Sequence, residues 1–443
     1  MNLFSKLTQK IIAWMGGGTN SARVLANLQW LVADRFIRAV FGFIISVLVT
    51  RYLGPDYFGT LSYAVAYVGM FAAFAGLGLE TIVIREIAKD VSKKNVLLGT
   101  AFFLKSTASI FALICIIVSI LISDMDHTTK ILIAIVAGGL FFNGWDVVDY
   151  WFQSQVQSRF NVIARNVSNV LSILVRLILV LSHAPLIAFA IATAVDILLT
   201  AAALAIAYLK TSDHIREWKI EYQLAKALLK ESWPLMMSAF AVTVYLRADQ
   251  IILGNFGGAH SVGIYAAAVK LSELWYFIPM AISSSIFPIL VSYRKENEKL
   301  FYSKFQKYSA VLATISIGIA IVTTLFSSNI IQLLYGSRYG ESGSVLALYI
   351  WAGIFVFIGV AASNWTIIEG RQKILMYATF AGAVSNVVFN LVLVPRYHEL
   401  GAAVATIVGY AVAGYFTFFV LPESRKVAII FTKAIFFPWK YLL

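Results

Sequence analysis

Thirteen ionisable side chains fall inside long apolar runs of this 443-residue chain, and they are the residues whose type and spacing could do chemistry. Arg38 has Arg35 and Asp34 three and four positions before it, on one face of a helix. Arg247 and Asp249 share a later run, and Lys270 and Glu273 stand three apart in the next. Lys105, Asp146, Asp149, Arg176 and Asp196 lie in the first half, with Glu80 nearer the end of a run. A charge at the centre of a bilayer costs about 2.5–3.5 kcal/mol on insertion scales, so each of these groups must face protein or water. Two uses fit that constraint. Cations and acids can pair and fix helix packing, or unpaired cations can line a wet cavity that takes an anionic, phosphate-bearing ligand. Planar guanidinium donors match phosphate oxygens two at a time.

Six cations against seven acids keeps pairing open for every one of them. Arg38, Arg247 and Lys270 are favoured as cavity-lining because the runs that carry them open the two halves of the chain, and Arg35 and Arg176 are further substrate-binding candidates. Asp34, Asp146, Asp149, Asp196, Asp249 and Glu273 are candidates for ion coupling or pairing. Asp146 and Asp149 could hold a divalent ion or share a proton, but no ligand cluster accompanies them, so no metal site is expected. The histidines (His127, His183, His214, His260 and His398) all fall in connections and read as solvated loop residues. Cys115 is the single cysteine, which excludes a disulfide framework. Gly16-Gly17-Gly18-Thr19 lacks the lysine of a phosphate-binding loop, and no zinc-protease histidine pair occurs. The expectation is a protein without cofactor or covalent chemistry, a transporter and not an enzyme.

The elements that must position these groups are read from composition. With 60% hydrophobic residues and only 13% charged, the chain cannot present a soluble surface. About twelve apolar spans are predicted, near 24–50, 60–84, 96–123, 131–153, 161–182, 185–209, 233–256, 261–293, 308–328, 343–368, 374–394 and 400–421. Twenty-five Lys and Arg fall in alternate connections on one side and four (Arg51, Lys130, Arg338 and Arg396) on the other. The positive-inside rule then places both termini in the cytoplasm, with an even number of crossings. The net charge of +13 is thereby assigned to orientation and to anionic membrane lipids, not to nucleic acid.

The predicted organisation is a cytoplasmic interfacial helix with a glycine linker at 1–23, a first lobe at 24–209, a cytoplasmic amphipathic linker at 210–232, a second lobe at 233–421 and a cytoplasmic amphipathic tail at 422–443. The tail carries Lys426, Lys433 and Lys440 at seven-residue spacing and reads as a helix on the inner surface. The halves repeat. Leu53-Gly54-Pro55-Asp56-Tyr57-Phe58-Gly59 leads to Ser62-Tyr63-Ala64, and about 204 positions later Phe256-Gly257-Gly258 through Gly263 leads to Ile264-Tyr265-Ala266. Arg159 matches Arg371, and residues 190–193 match 403–406. An even six spans per half makes the repeats parallel, related by a pseudo-two-fold along the membrane normal, with a central cavity and alternating access by rocking.

Four segments carry a resemblance to a known family: Thr50 to Gly59, Asp149-Tyr150-Trp151-Phe152-Gln153, Asn390 to Pro395, and Gly401 to Thr406. The chain resembles the polysaccharide transporter family, the O-antigen and repeat-unit flippases of the multidrug, oligosaccharidyl-lipid and polysaccharide exporter superfamily, over nearly its whole length. The resemblance implies an all-α, twelve-helix, V-shaped protein of two six-helix lobes. It implies movement of an undecaprenyl-diphosphate-linked oligosaccharide to the outer leaflet, with a cationic cavity that suits Arg38, Arg247 and Lys270. Glycosyltransferases and a polysaccharide polymerase of the same pathway are the implied partners. The second half departs from the pattern at Phe256-Gly257-Gly258. The alternatives are a proton- or sodium-coupled multidrug antiporter, which would want acidic sites for cationic drugs, and a membrane polysaccharide polymerase or ligase, which would want a large external loop.

Overall fold

The computed structural model describes residues 19–155, 158–211 and 215–442, with side chains described from residue 41 onward in these ranges except at 158 and 442. Regular structure among the described residues is helical. Long apolar segments dictate this, since in lipid each backbone N–H and C=O must be satisfied within its own segment. In the first half these are α1 (Thr19–Ala75), α2 (Glu80–Lys89), α3 (Lys94–Ile122), α4 (His127–Gly138), α5 (Val147–Ser154), α6 (Ser158–Leu181) and α7 (Leu186–Thr211). The second half has α8 (Tyr222–Glu273), α9 (Phe277–Glu296), α10 (Glu298–Tyr335), α11 (Ser342–Tyr349), α12 (Ala352–Ile368) and α13 (Gln372–Ala411), then α14 (Thr417–Val420), α15 (Arg425–Phe436) and α16 (Trp439–Leu442). Two compact units are present, one ending at Leu48 and the other beginning at Val49, a boundary inside α1.

Nine helical runs among the described residues are long and apolar enough to cross a membrane. Three of them, Phe41–Lys89, Tyr222–Glu296 and Gln372–Val420, contain a break in helical geometry at Gly54, Gly258 and His398 respectively. Gly54 (φ 72°) and Gly258 (φ 75°) occupy backbone space that a Cβ disfavours. They stand 204 positions apart, the offset of the sequence repeat. Pro55 completes the first break by removing a backbone donor.

The repeat is also a contact. A Cβ on Gly59 would overlap the carbonyl oxygen of Ala259, and one on Gly263 would overlap that of Pro55. Adding 204 to Pro55 and Gly59 gives Ala259 and Gly263, so each half offers the other the same surface. That reciprocity is what a two-fold axis imposes, and small residues are what let two membrane helices approach so closely.

Each half has its own core. In the first, Leu79, Val83, Leu98, Val147, Phe152, Leu204 and Tyr208 are buried together. In the second, Phe301, Phe305, Phe357, Trp365, Phe418 and Phe431 are. Local signals set the helix starts. The Asp126 carboxylate accepts the Thr129 backbone N–H at 2.9 Å and begins α4, and Asn297 accepts Lys299 N–H at 2.8 Å and begins α10. Partial burial pushes the Asp126 carboxyl up, but the Thr129 hydroxyl and N–H outweigh it and hold it below its ordinary range.

The segment joining the halves is held against the first of them. Residues 215–221 lie as a strap on α3: Lys219 N–H donates to Asn95 O (3.1 Å), Glu221 N–H to Thr100 Oγ1 (3.1 Å) and Asn95 Nδ2 to Glu217 Oε2 (3.0 Å). Gly99 permits this, since a Cβ there would overlap the Lys219 backbone. Trp218 donates to Tyr208 Oη at 3.0 Å and packs on Phe102. From Tyr222 the chain is one helix as far as Gly258, so no break separates the linker from the following span. The tail packs one face of α15 (Val427, Ala428, Phe431 and Ala434) into the second core, with Gln306 Nε2 donating to Ile430 O at 3.2 Å.

Candidate functional site

The break at Gly258 places the charges. Arg247 lies eleven residues before it and Lys270 twelve after, so at about 1.5 Å per residue both sit about 17–18 Å from the turn, near the middle of a bilayer core about 30 Å thick. Lys270 is accessible although it is set deep in the protein mass. Its ammonium stands over the ring of Phe58, from α1, at 4.8 Å. It also feels the charges of Arg176 on α6, Arg247 and Glu273. Arg247 is exposed and acts electrostatically on both Asp249 and Glu273, yet among the described residues it has no carboxylate within 4 Å. Arg176 is held by Asp196 and Ser172, and its guanidinium remains about a quarter exposed, with 24% of the side chain accessible. Lys270 is therefore within electrostatic reach of Arg176 and Arg247, cations drawn from both halves of the chain, and each of the three is at least partly accessible. Such a cluster can hold a polyanion by charge-assisted hydrogen bonds.

Among the described residues of the first half, Lys105, Asp146, Asp149 and Asp196 are paired. Lys105, only 3% accessible, donates to Asp146 Oδ2 at 3.1 Å and to Tyr150 Oη at 3.0 Å. Asp149 accepts Arg165 Nη2 at 2.7 Å and also bonds Asn161. Asp146 and Asp149 thus turn to different partners, and neither a shared proton nor a shared divalent ion describes them. Arg165 is inside α6. Asp196 is committed to Arg176 and Ser172.

Asp249 has a different environment. It is 3% accessible, accepts the Tyr265 hydroxyl and the Gln250 backbone N–H (2.8 Å), and has Thr406 Oγ1 at 3.4 Å. The Gly258 break brings Asp249 and Tyr265 together, since they stand nine residues before and seven after it. Asn386 Nδ2 reaches Thr406 Oγ1 at 3.4 Å, and Asn390 Nδ2 donates to Asn386 Oδ1 at 3.1 Å. The Asn390 Oδ1 atom is buried with no donor facing it. Asn386 thus bonds across the break at His398, toward Thr406, whereas Asn390 bonds within its own segment of α13. The tyrosine and threonine around Asp249 were not anticipated, although Thr406 stands in the matched segment 403–406.

Asp34, Arg35 and Arg38 lie outside the described side chains. Glu80 accepts Gln153 Nε2 at 3.3 Å near a helix end. Glu273 is accessible, within electrostatic reach of Arg247, Asp249 and Lys270. His260 is exposed, as a loop histidine would be, but its Nδ1 is 3.2 Å from Asp56 Oδ1 across the contact between the halves. The repeat offset itself pairs residues 56 and 260, a signal available in the sequence. A shallow apolar groove of about 230 Å³, lined by Leu393, Tyr397, Leu400, Gly401 and Val404, includes none of the charged residues.

Against this geometry stand the comparisons with known proteins. Residues 24–294 match the family model described as polysaccharide biosynthesis protein, and residues 234–392 match the MatE model. The chain is 22% identical over 405 residues to the capsular polysaccharide biosynthesis protein CapF of Staphylococcus aureus, covering 89% of this chain and 99% of the relative. It is 21% identical to a putative O-antigen transporter of Shigella dysenteriae, covering 83% of this chain and 92% of the relative. Among solved structures, the lipid II flippase MurJ in an inward closed conformation superposes with a TM-score of 0.74 at 15% identity, covering 92% of this chain and 91% of that one.

Proposed function

The chain belongs to the polysaccharide biosynthesis protein family, and from that premise we propose that it is a flippase for lipid-linked oligosaccharides. It moves undecaprenyl-diphosphate-linked repeat units of the O-antigen type from the cytoplasmic to the outer leaflet of the bacterial inner membrane. The observation that carries the reading is Lys270, accessible at mid-depth and within electrostatic reach of Arg176 and Arg247. In the proposed cycle they hold the diphosphate while the two lobes rock against each other. From the sequence alone, Arg35 and Arg38 are also proposed to bind the diphosphate. Each negative charge carried outward across an inside-negative membrane gains about 2.3 kcal/mol per 100 mV, so the potential favours export.

The topology proposed with this function has twelve crossings. It follows if each of the three broken runs crosses twice and each of the other six crosses once. Both termini then face the cytoplasm, the lobes span 24–209 and 233–421, and 210–232 and 422–443 lie on the inner surface. Glycosyltransferases and a polymerase of the same pathway supply and consume the cargo.

Coupling is assigned to Asp249. A carboxylate buried with hydroxyl and amide oxygens, and with no cation within 4 Å among the described residues, is suited to take up and release a proton or a sodium ion. The multidrug-antiporter reading draws on the match at 234–392. The positive charge around Lys270 opposes it, because a cationic drug would be repelled there.

The test is complementation of a strain deleted for the gene. Wild type restores surface glycan, and Arg247→Ala reaches the membrane in equal amount but leaves the glycan inside. Equal surface glycan from both overturns the substrate role of this cation.

A further inference from the structure

The end of the molecule where the chain breaks at Gly54 and Gly258 holds the contact between the halves, and an imidazole stands in it between two carboxylates. Asp56 and His260 are repeat-related, 204 positions apart, and they meet at 3.2 Å through Asp56 Oδ1 and His260 Nδ1. The other ring nitrogen, Nε2, lies 4.0 Å from Glu341 Oε2. All three side chains are exposed, so the solution reaches them. The imidazole is thus placed between two carboxylates, one on α1 and one just before α11.

We propose that Asp56, His260 and Glu341 form a proton-operated latch that holds the two halves together at this end, tightening as the pH falls and loosening as it rises. The reason is the donor count. A protonated imidazole has two N–H donors, one for each carboxylate, and carries the opposite charge. A neutral imidazole has one donor, so one of its nitrogens turns a lone pair toward an ionised oxygen. The other polar groups at this contact do not reverse that sign. The guanidinium of Arg338 lies against Gly54, and Arg51 lies near Gly336. Both keep their charge throughout the range. Tyr339 donates its hydroxyl to Thr50 O at 2.7 Å and stays protonated. Beneath the latch is the seam where Gly59 meets Ala259 and Gly263 meets Pro55, which has no room for a Cβ and must part if the halves separate here. The proposed function enters only in saying that this end faces outward. On that reading the latch senses external pH, and the spectroscopic test below does not depend on any cargo.

Electron-paramagnetic-resonance distances between spin labels at Ser182→Cys and Ser344→Cys, in a Cys115→Ala background in lipid nanodiscs at low salt, report the separation of the halves at this end. Both positions are exposed. Ser182 belongs to the turn whose Ala184 carbonyl accepts the Tyr52 hydroxyl at 2.9 Å, and Ser344 follows Glu341 closely. The expected result is a single short distance at pH 5.5 and a longer-distance population that grows about threefold by pH 8.5, the size an exposed ion pair can supply. His260→Gln shows the longer population equally at both pH values, and His260→Lys shows the short distance at both. Asp56→Asn, which removes the one carboxylate charge that meets His260 across the seam, abolishes most of the response, and Glu341→Gln, whose contact with His260 lies within the second half, reduces it less. A wild-type distribution unchanged between the two pH values overturns the proposal. So does an undiminished shift in His260→Gln, or, if that variant does not fold, an undiminished shift in both carboxylate variants.

Discussion

Replacing Lys270 by methionine removes one charge from the proposed diphosphate site while keeping the length and apolar stem of the side chain. A charge-assisted hydrogen bond contributes about 1.5–3 kcal/mol. Against that loss stands the relief of repulsion, since Lys270 feels both Arg176 and Arg247. In a hydrated space and at a separation of several ångström, each such repulsion is worth about 0.5 kcal/mol. The net loss for Lys270→Met is then about 0.5–2 kcal/mol, or about 2- to 30-fold in Kd. Titration of the detergent-solubilised protein with undecaprenyl diphosphate, at two salt concentrations, measures it. The uncharged alcohol undecaprenol is the control, and its weaker binding is expected to be unchanged. Lys270→Arg should bind the diphosphate within about threefold of wild type. An unchanged Kd for the diphosphate, or an equal loss for the alcohol, would refute the assignment of this lysine to the anionic head.

Two further outcomes follow from the buried charges. Lys105→Met leaves Asp146 without its ammonium partner and should lower stability by about 1–3 kcal/mol, whereas Lys105→Met with Asp146→Asn should recover most of it; thermal melts of the four proteins close the cycle, and additive losses would contradict the pairing. Asp249→Asn should abolish the dependence of flipping on a sodium or proton gradient while leaving the Kd for undecaprenyl diphosphate within about twofold, because Asp249 is buried and has no cation within 4 Å among the described residues. Retained gradient dependence in that variant would remove Asp249 from the coupling step.

What was legible in the sequence follows the energetics. Charges in apolar runs are conspicuous because lipid cannot solvate them, so every member of the cluster around Lys270 could be named before its neighbours were known. Gly54 and Gly258 were legible because a turn with positive φ favours glycine, and their common offset exposed the repeat. Partner choice was not legible. Lys105 meets Asp146 across 41 positions, and Asp149 meets Arg165 and not the neighbouring carboxylate, outcomes set by helix packing that no spacing rule encodes. The strap at 215–221 was read as a polar linker because its polarity reflects surface exposure, while its anchor is the missing Cβ of Gly99. His260 looked like a solvated loop residue because exposure and engagement are different properties. It is exposed, and it also reaches Asp56 across the seam.

The most direct measurement of the central claim is flipping in sealed vesicles. The purified protein is reconstituted with an undecaprenyl-diphosphate oligosaccharide in the inner leaflet, and a glycan-cleaving enzyme is confined to the outside. The account predicts that cleavage goes beyond the protein-free level, is accelerated by an inside-negative potential, and falls to that level in the Arg247→Ala, Lys270→Met double variant. Cleavage no faster than in protein-free vesicles, or cleavage by the double variant at the wild-type rate, would contradict it.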